Sequence, residues 1–233
     1  HVIITHVPTD RWIITLFYRK LDMTIRKFII ALIAIVLAGG SAVAAERIKV
    51  DRKALASVVT KTPDKRNALV AKYEKGESLT PAEMAVVYYG QAYVPGHKPA
   101  ASYPDVDAAY AKKDYPSTLT LVDAVLRENP VALNQLFRGY VAAANSTEPR
   151  VKARAENFQK RIDAICSLIF SSGSGVTGEE PFIVLTTEDA MAFVRNYLQP
   201  TEILGQAQVD GMDAVKVKWP DQTEPVIFYF ARP

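Results

Sequence analysis

Glu179 and Glu180 stand side by side directly after a glycine-rich run, Ser171-Ser172-Gly173-Ser174-Gly175-Val176-Thr177-Gly178, and Asp105 and Asp107 flank the start of a predicted helix. Two carboxylates are the minimum that hydrolytic acid–base chemistry needs, one to protonate a leaving group and one to activate water or attack directly. These pairs define one reading, a secreted carboxylate-dependent hydrolase. The bland reading is that adjacent acids beside a loop are solvated, which is where acidic residues normally reside.

Other residue types narrow the chemistry further. Gly173-x-Gly175-x-x-Gly178 matches the dinucleotide-binding glycine pattern letter for letter. That pattern works only when a strand precedes it and a helix follows, so that the helix N-terminus faces the pyrophosphate. Here a helix precedes and a strand follows, so no nucleotide site is expected. His97 and Cys166 are the only histidine and cysteine beyond residue 45. One of each cannot assemble a His-rich or Cys-rich metal centre, and Cys166, among Ile165, Leu168 and Ile169, reads as a small core hydrophobe. No catalytic residue, cofactor or metal is assigned from the sequence.

Tyrosine is the one enrichment. Eight tyrosines fall between Tyr73 and Tyr140, including the pair Tyr88-Tyr89. A large apolar ring with a polar tip suits binding surfaces, and it suits equally the packing of helical hairpins with each hydroxyl reaching outward. The sequence therefore nominates a contact surface of Tyr88, Tyr89, Tyr93 and Tyr110, with Ser172, Gly173, Gly175 and Glu179 beside them.

The elements that must position these residues begin after an address. Met23 opens a short basic segment (Arg26, Lys27), an apolar run of 11 residues from Phe28 to Ala38, and a small-residue exit ending Ala42-Val43-Ala44-Ala45. These are the parts of a secretory signal peptide, and the run falls short of the roughly 20 apolar residues of a membrane span. Residues 1–22 are expected to be an upstream segment outside the native protein, 23–45 the signal, and 46–233 one exported domain, periplasmic or extracellular. Residues 1–45 hold five of the 28 basic and two of the 25 acidic side chains, which leaves 23 of each and a neutral remainder. Neutrality gives no electrostatic case for nucleic acid as a partner.

Within residues 46–170 the pattern is mainly helical. Residues 46–60 read as a mixed lead-in. Thr62-Pro63 and Gly76 bracket a helix, and Thr80-Pro81-Ala82-Glu83 is a capping box opening another that runs to about Tyr93. Further helices are predicted over 104–113, 118–128 and 131–144. The longest, about 149–170, carries Val151, Ala155, Phe158, Ile162, Ile165 and Ile169 as one apolar stripe. After the glycine loop, 181–186 reads as a strand and Thr187 as the cap of a helix to about Leu198. Strands are predicted over 203–209, 212–219 and 225–231, the first two joined by an Asp210-Gly211 turn. The predicted fold class is α+β: helical hairpins followed by a small antiparallel sheet with one helix.

Two resemblances rest on these residues. Lys113-Asp114-Tyr115, Val122, Val125 and Asn129-Pro130, followed by Asn134, Phe137 and Val141, resemble part of a tetratricopeptide array. About one and a half repeats are covered, fewer than the three or so a solenoid needs, so a local helical hairpin is all this implies. More broadly, Lys72-Tyr73, Gly76, Leu79-Thr80, Val87-Tyr88-Tyr89-Gly90, the Ser171–Gly175 loop, Pro181–Val184 and Phe228-Tyr229-Phe230 resemble the family called domain of unknown function 4919. That resemblance implies an exported protein of Bacteroidetes-type bacteria and names no reaction. The functional expectation is a non-catalytic binding or interaction module with a protein or glycan partner.

Overall fold

The computed structural model describes residues 47–98, 102–220 and 222–233, so the expected upstream segment and signal peptide lie outside the described residues. The chain opens with a helix that the mixed pattern of residues 46–60 concealed, α1 (Arg52–Lys61). The Asp51 side chain accepts from the Lys53 and Ala54 amides, and Leu55 and Val59, one turn apart, are its buried residues. Next come α2 (Pro63–Glu74) and α3 (Pro81–Tyr88), the latter continued by a 3-10 turn over Tyr89–Tyr93. The capping box is formed: Thr80 Oγ1 accepts from the Glu83 amide, and the Glu83 carboxylate accepts from the Thr80 amide at 2.8 Å. These hydrogen bonds hold the Glu83 carboxyl below its usual range.

The helical half continues with α4 (Pro104–Ala111), α5 (Tyr115–Glu128), α6 (Leu133–Ala144) and α7 (Pro149–Ser171). Helix α5 starts earlier than the sequence pattern suggests because Asp114 is its cap, accepting from the Ser117 amide. The stripe on α7 turns inward, with Phe158, Ile162, Ile165 and Ile169 buried. In the second half, β1 is only Phe182–Ile183, and α8 (Thr187–Ala192) is capped by Thr186 and continues as a π-helical turn over Phe193–Leu198. Strands β2 (Glu202–Val209), β3 (Met212–Lys218) and β4 (Val226–Ala231) complete an α+β fold.

The sheet runs β1-β4-β3-β2 and is mixed: β2–β3 and β3–β4 are antiparallel, as expected, whereas β1 lies parallel to β4. After β1 the chain crosses through α8 before it returns, the longer connection that parallel pairing requires. The hairpin between β2 and β3 turns at Asp210 (φ 50°) and Gly211 (φ 78°), the two successive positive φ values of a tight primed turn. Phe182 sits at the centre of an aromatic cluster, its ring centroid 5.4–6.0 Å from those of Phe170, Phe193, Phe228 and Phe230. Buried side chains of the helices and of the sheet thus form one continuous cluster.

Candidate functional site

Three polar side chains join the helical half to the sheet half. The Tyr88 hydroxyl donates to Asp189 Oδ2 at 3.0 Å and accepts from the Leu185 amide at 3.3 Å. The Tyr89 hydroxyl donates to the Ile183 carbonyl at 3.2 Å. Asp189 Oδ1 accepts from the Leu133 amide at 3.2 Å. Leu133 opens α6, whose own N-cap position, Ala132, has no side chain able to accept, so a carboxylate from α8 caps α6 across the interior.

Burial sets the protonation of this junction. Asp189 is pushed up to about 7 by desolvation, against the opposing pull of the Tyr88 hydroxyl and the Leu133 amide. The Tyr88 hydroxyl is raised by its own burial and by the Asp189 charge. A carboxyl whose pKa is higher folded than unfolded (about 3.9) favours folding at low pH and loses that contribution as pH rises toward the folded value. Unfolding free energy should therefore fall between about pH 4 and 7 on account of this residue, by about 3–4 kcal/mol in all. His97, held below its ordinary value by burial and by Arg66, acts in the opposite sense, but equally in a variant at position 189. Urea unfolding of the parent and Asp189→Asn from pH 5 to 8 should show the variant gaining relative stability as pH rises. A pH-independent difference would contradict this account of the buried carboxyl.

The nominated contact residues do not form one face. Tyr88 and Tyr89 are fully buried, so their side chains serve the interior and not a partner. The sequence could not reveal this, because a tyrosine pair satisfies a core with two reachable acceptors as well as it satisfies a surface. Tyr93 is half-buried against the same core. Tyr110 is half-buried with the Arg138 guanidinium 5.7 Å above its ring. Ser172 is tied into the structure, donating to the Ile169 carbonyl at 2.6 Å and accepting from the Ile183 amide at 2.8 Å.

Gly173 and Gly175 have packing reasons of their own. A Cβ on Gly173 would lie 2.2 Å from the Pro181 carbonyl oxygen, and one on Gly175 would lie 2.2 Å from the Phe182 ring. The Gly175 amide donates to the Glu180 carbonyl and its own carbonyl accepts from the Tyr229 amide at 2.7 Å, laying the loop against β4. Glu179 and Glu180 are exposed. Glu180 is ion-paired with Arg47, which holds its carboxyl below the usual range. That is the opposite of the raised value a general acid needs.

A concavity of the helical half lies elsewhere, between α2, α5 and α7. A cleft of about 590 Å³ is lined by Glu74, by Thr120, Asp123, Leu126 and Arg127 of α5, and by Arg154, Asn157, Phe158 and Arg161 of α7. That volume is within the range of small-molecule sites. Phe158 and Leu126 are buried beneath it. Arg154 pairs with Asp123 at 2.5 Å and lies over the Phe158 ring at 5.5 Å. Asn157 donates its amide to the Glu74 carbonyl at 3.0 Å. Arg161, buried, donates to the Pro130 carbonyl at 2.7 Å and stacks over Tyr73 at 5.0 Å.

The sequence reading names only Phe158 among these cleft residues, and as part of an apolar stripe, yet a signal exists. Residues 154, 157, 158 and 161 follow the i, i+3, i+4, i+7 spacing of one helix face, and 120, 123 and 127 do the same on α5. Which two rows meet depends on how α6 packs against both neighbours, and no local pattern records that. Among the described residues no group of three or more His, Cys, Asp or Glu could hold a metal ion, and no helix is long and apolar enough to cross a membrane.

No curated protein and no solved structure was found to match the chain. The family resemblance does extend beyond isolated motifs: residues 67–231 match as a unit, from within α2 to the last residue of β4, taking in the Tyr88–Asp189 junction, the glycine loop and every residue of the cleft. The chain belongs to the family described as domain of unknown function (DUF4919).

Proposed function

We propose that this protein is an exported, non-catalytic binding module of the periplasm or cell surface, and that its ligand occupies the cleft between α2, α5 and α7. The observation that carries the reading is the cleft's lining: guanidinium, carboxylate, amide and hydroxyl groups from α2, α5 and α7 brought together around one hollow. A few placed polar groups that fix a ligand's orientation are a usual part of a small-ligand site. Export is supported by the three-part pattern of residues 23–45. The hydrolase alternative built on Glu179 and Glu180 draws no support from their surroundings, since both are exposed and Glu180 is held ionised by Arg47.

Thr120 is exposed at the cleft and donates only to the Pro116 carbonyl within its own helix. Thr120→Trp should fill the cleft without touching the core. On a saccharide array the parent should bind a subset of glycans and the variant should bind none, with melting temperatures within about 2 °C of each other, as expected for a surface change within ±0.5 kcal/mol. Unchanged array binding by Thr120→Trp would remove the cleft from consideration.

A further inference from the structure

Three guanidinium groups line the cleft, and only one of them has an anion. Arg154 is paired with Asp123. Arg127, on the exposed face of α5, has no ion-pair partner among the described residues. Arg161 is 7% exposed and likewise has no carboxylate within 4 Å among them. Its Nε carries no hydrogen bond at all. Burying a cation without a counter-charge or full hydrogen bonding is costly, and a planar fork of donors is matched best by a carboxylate or another planar or tetrahedral oxyanion.

The rest of the lining is rich in acceptors. The Asn157 amide nitrogen is used by the Glu74 carbonyl, which leaves its oxygen free to accept. Thr120 Oγ1 gives its proton to Pro116, which leaves lone pairs toward the cleft. The Asp123 and Glu74 carboxylates accept only. Phe158, with Arg154 over its ring, and Leu126 are buried beneath these groups. Free donors in one part and free acceptors in another together fit a molecule that has one acidic group and several hydroxyls.

We infer that the cleft recognises an acidic saccharide, its carboxylate held by Arg127 and Arg154 above Arg161 and its hydroxyls by Asn157, Thr120 and Glu74. This rests on the reading that the cleft is the binding site and adds the ligand's chemistry. Asp123 then has a defined part: it holds Arg154 in place in the free protein and competes with the ligand for it.

The test is a titration of the protein with D-glucuronate, D-glucose and sodium sulfate at low ionic strength, followed by amide chemical shifts and calorimetry. Glucuronate should bind, perturb the amides of Thr120 and Asn157, and weaken as salt is raised. Arg127→Gln and Arg154→Gln, both outside the core, should each lower glucuronate affinity about tenfold, the usual worth of a charge-assisted hydrogen bond. Asp123→Asn should raise it about threefold by removing the competitor. Equal binding of glucose, or an unchanged affinity in Arg127→Gln with the same amides shifting, overturns the acidic preference while leaving the cleft as the site. Sulfate binding as tightly as glucuronate overturns the saccharide. Glucuronate shifts confined to residues away from α5 and α7 overturn the inference, and Thr120→Trp on the array then decides separately whether the cleft binds anything.

Discussion

Replacing Tyr88 by alanine should destabilise the protein by about 4–8 kcal/mol: about 3–5 for the lost ring and its cavity, and about 1–3 for polar groups left without partners. The side chain is among the largest that are fully buried. Its hydroxyl is the donor to Asp189 and the acceptor for the Leu185 amide. Removing it leaves a buried carboxyl with the Leu133 amide and its own helix as remaining support. For a domain with a total stability of about 5–15 kcal/mol, that loss is comparable with the whole. A melting temperature lower by about 10–20 °C, or no cooperative transition at 37 °C, is expected by calorimetry or circular dichroism. Tyr88→Phe separates the two contributions, retaining the ring and removing the hydroxyl, and should cost about 1–3 kcal/mol. A Tyr88→Ala variant with the parent's melting curve would mean that the ring does not pack as described.

Gly175→Ala is the second change with a large expected effect, although it adds only a methyl group. The residue sits at φ +72°, a region an L side chain enters at a cost of about 1–2 kcal/mol. The new Cβ would also lie 2.2–2.8 Å from three atoms of the Phe182 ring. That ring cannot swing aside, because Phe170, Phe193, Phe228 and Phe230 surround it. Overpacking a dense core adds about 1–3 kcal/mol, so the total should be about 2–5 kcal/mol. Gly211→Ala is the control: its φ is +78° and nothing lies within 4 Å of the added carbon. It should show the backbone contribution alone. Urea midpoints of the two variants that coincide would show that the ring contact contributes nothing.

Those two positions also show what was readable from the residues alone. The meaning of the Tyr-Tyr-Gly piece depends on contacts 94 to 101 residues away, between Tyr89 and Ile183 and between Tyr88 and Asp189, and that of the Ser-Gly-x-Gly piece on the Phe182 ring and on β4. Local pattern locates such residues without saying which way they point. Helix starts were legible where a cap is a local hydrogen bond, as at Thr80, and the hairpin turn was legible because Asp-Gly tolerates positive φ at both positions. Helix α1 was missed although Asp51 and the Leu55/Val59 spacing announce it. The parallel placement of β1 was missed because a two-residue strand has no periodicity to read. The cleft was the least legible feature. Its arginines sit on helix faces where charged residues are ordinary, and only the packing of α5 and α7 around α6 turns two solvated rows into one concavity.

Under the proposed function labour is divided: the tyrosine junction holds the two halves together, and the cleft contacts the ligand. The most direct test measures melting temperature and saccharide-array binding on the same two variants, Tyr88→Phe and Thr120→Trp. The account predicts that Tyr88→Phe melts several degrees lower yet, at 10 °C where it stays folded, binds the parent's glycans, whereas Thr120→Trp melts like the parent and binds none. The crossed result, with binding lost in a stably folded Tyr88→Phe and retained in Thr120→Trp, would contradict it.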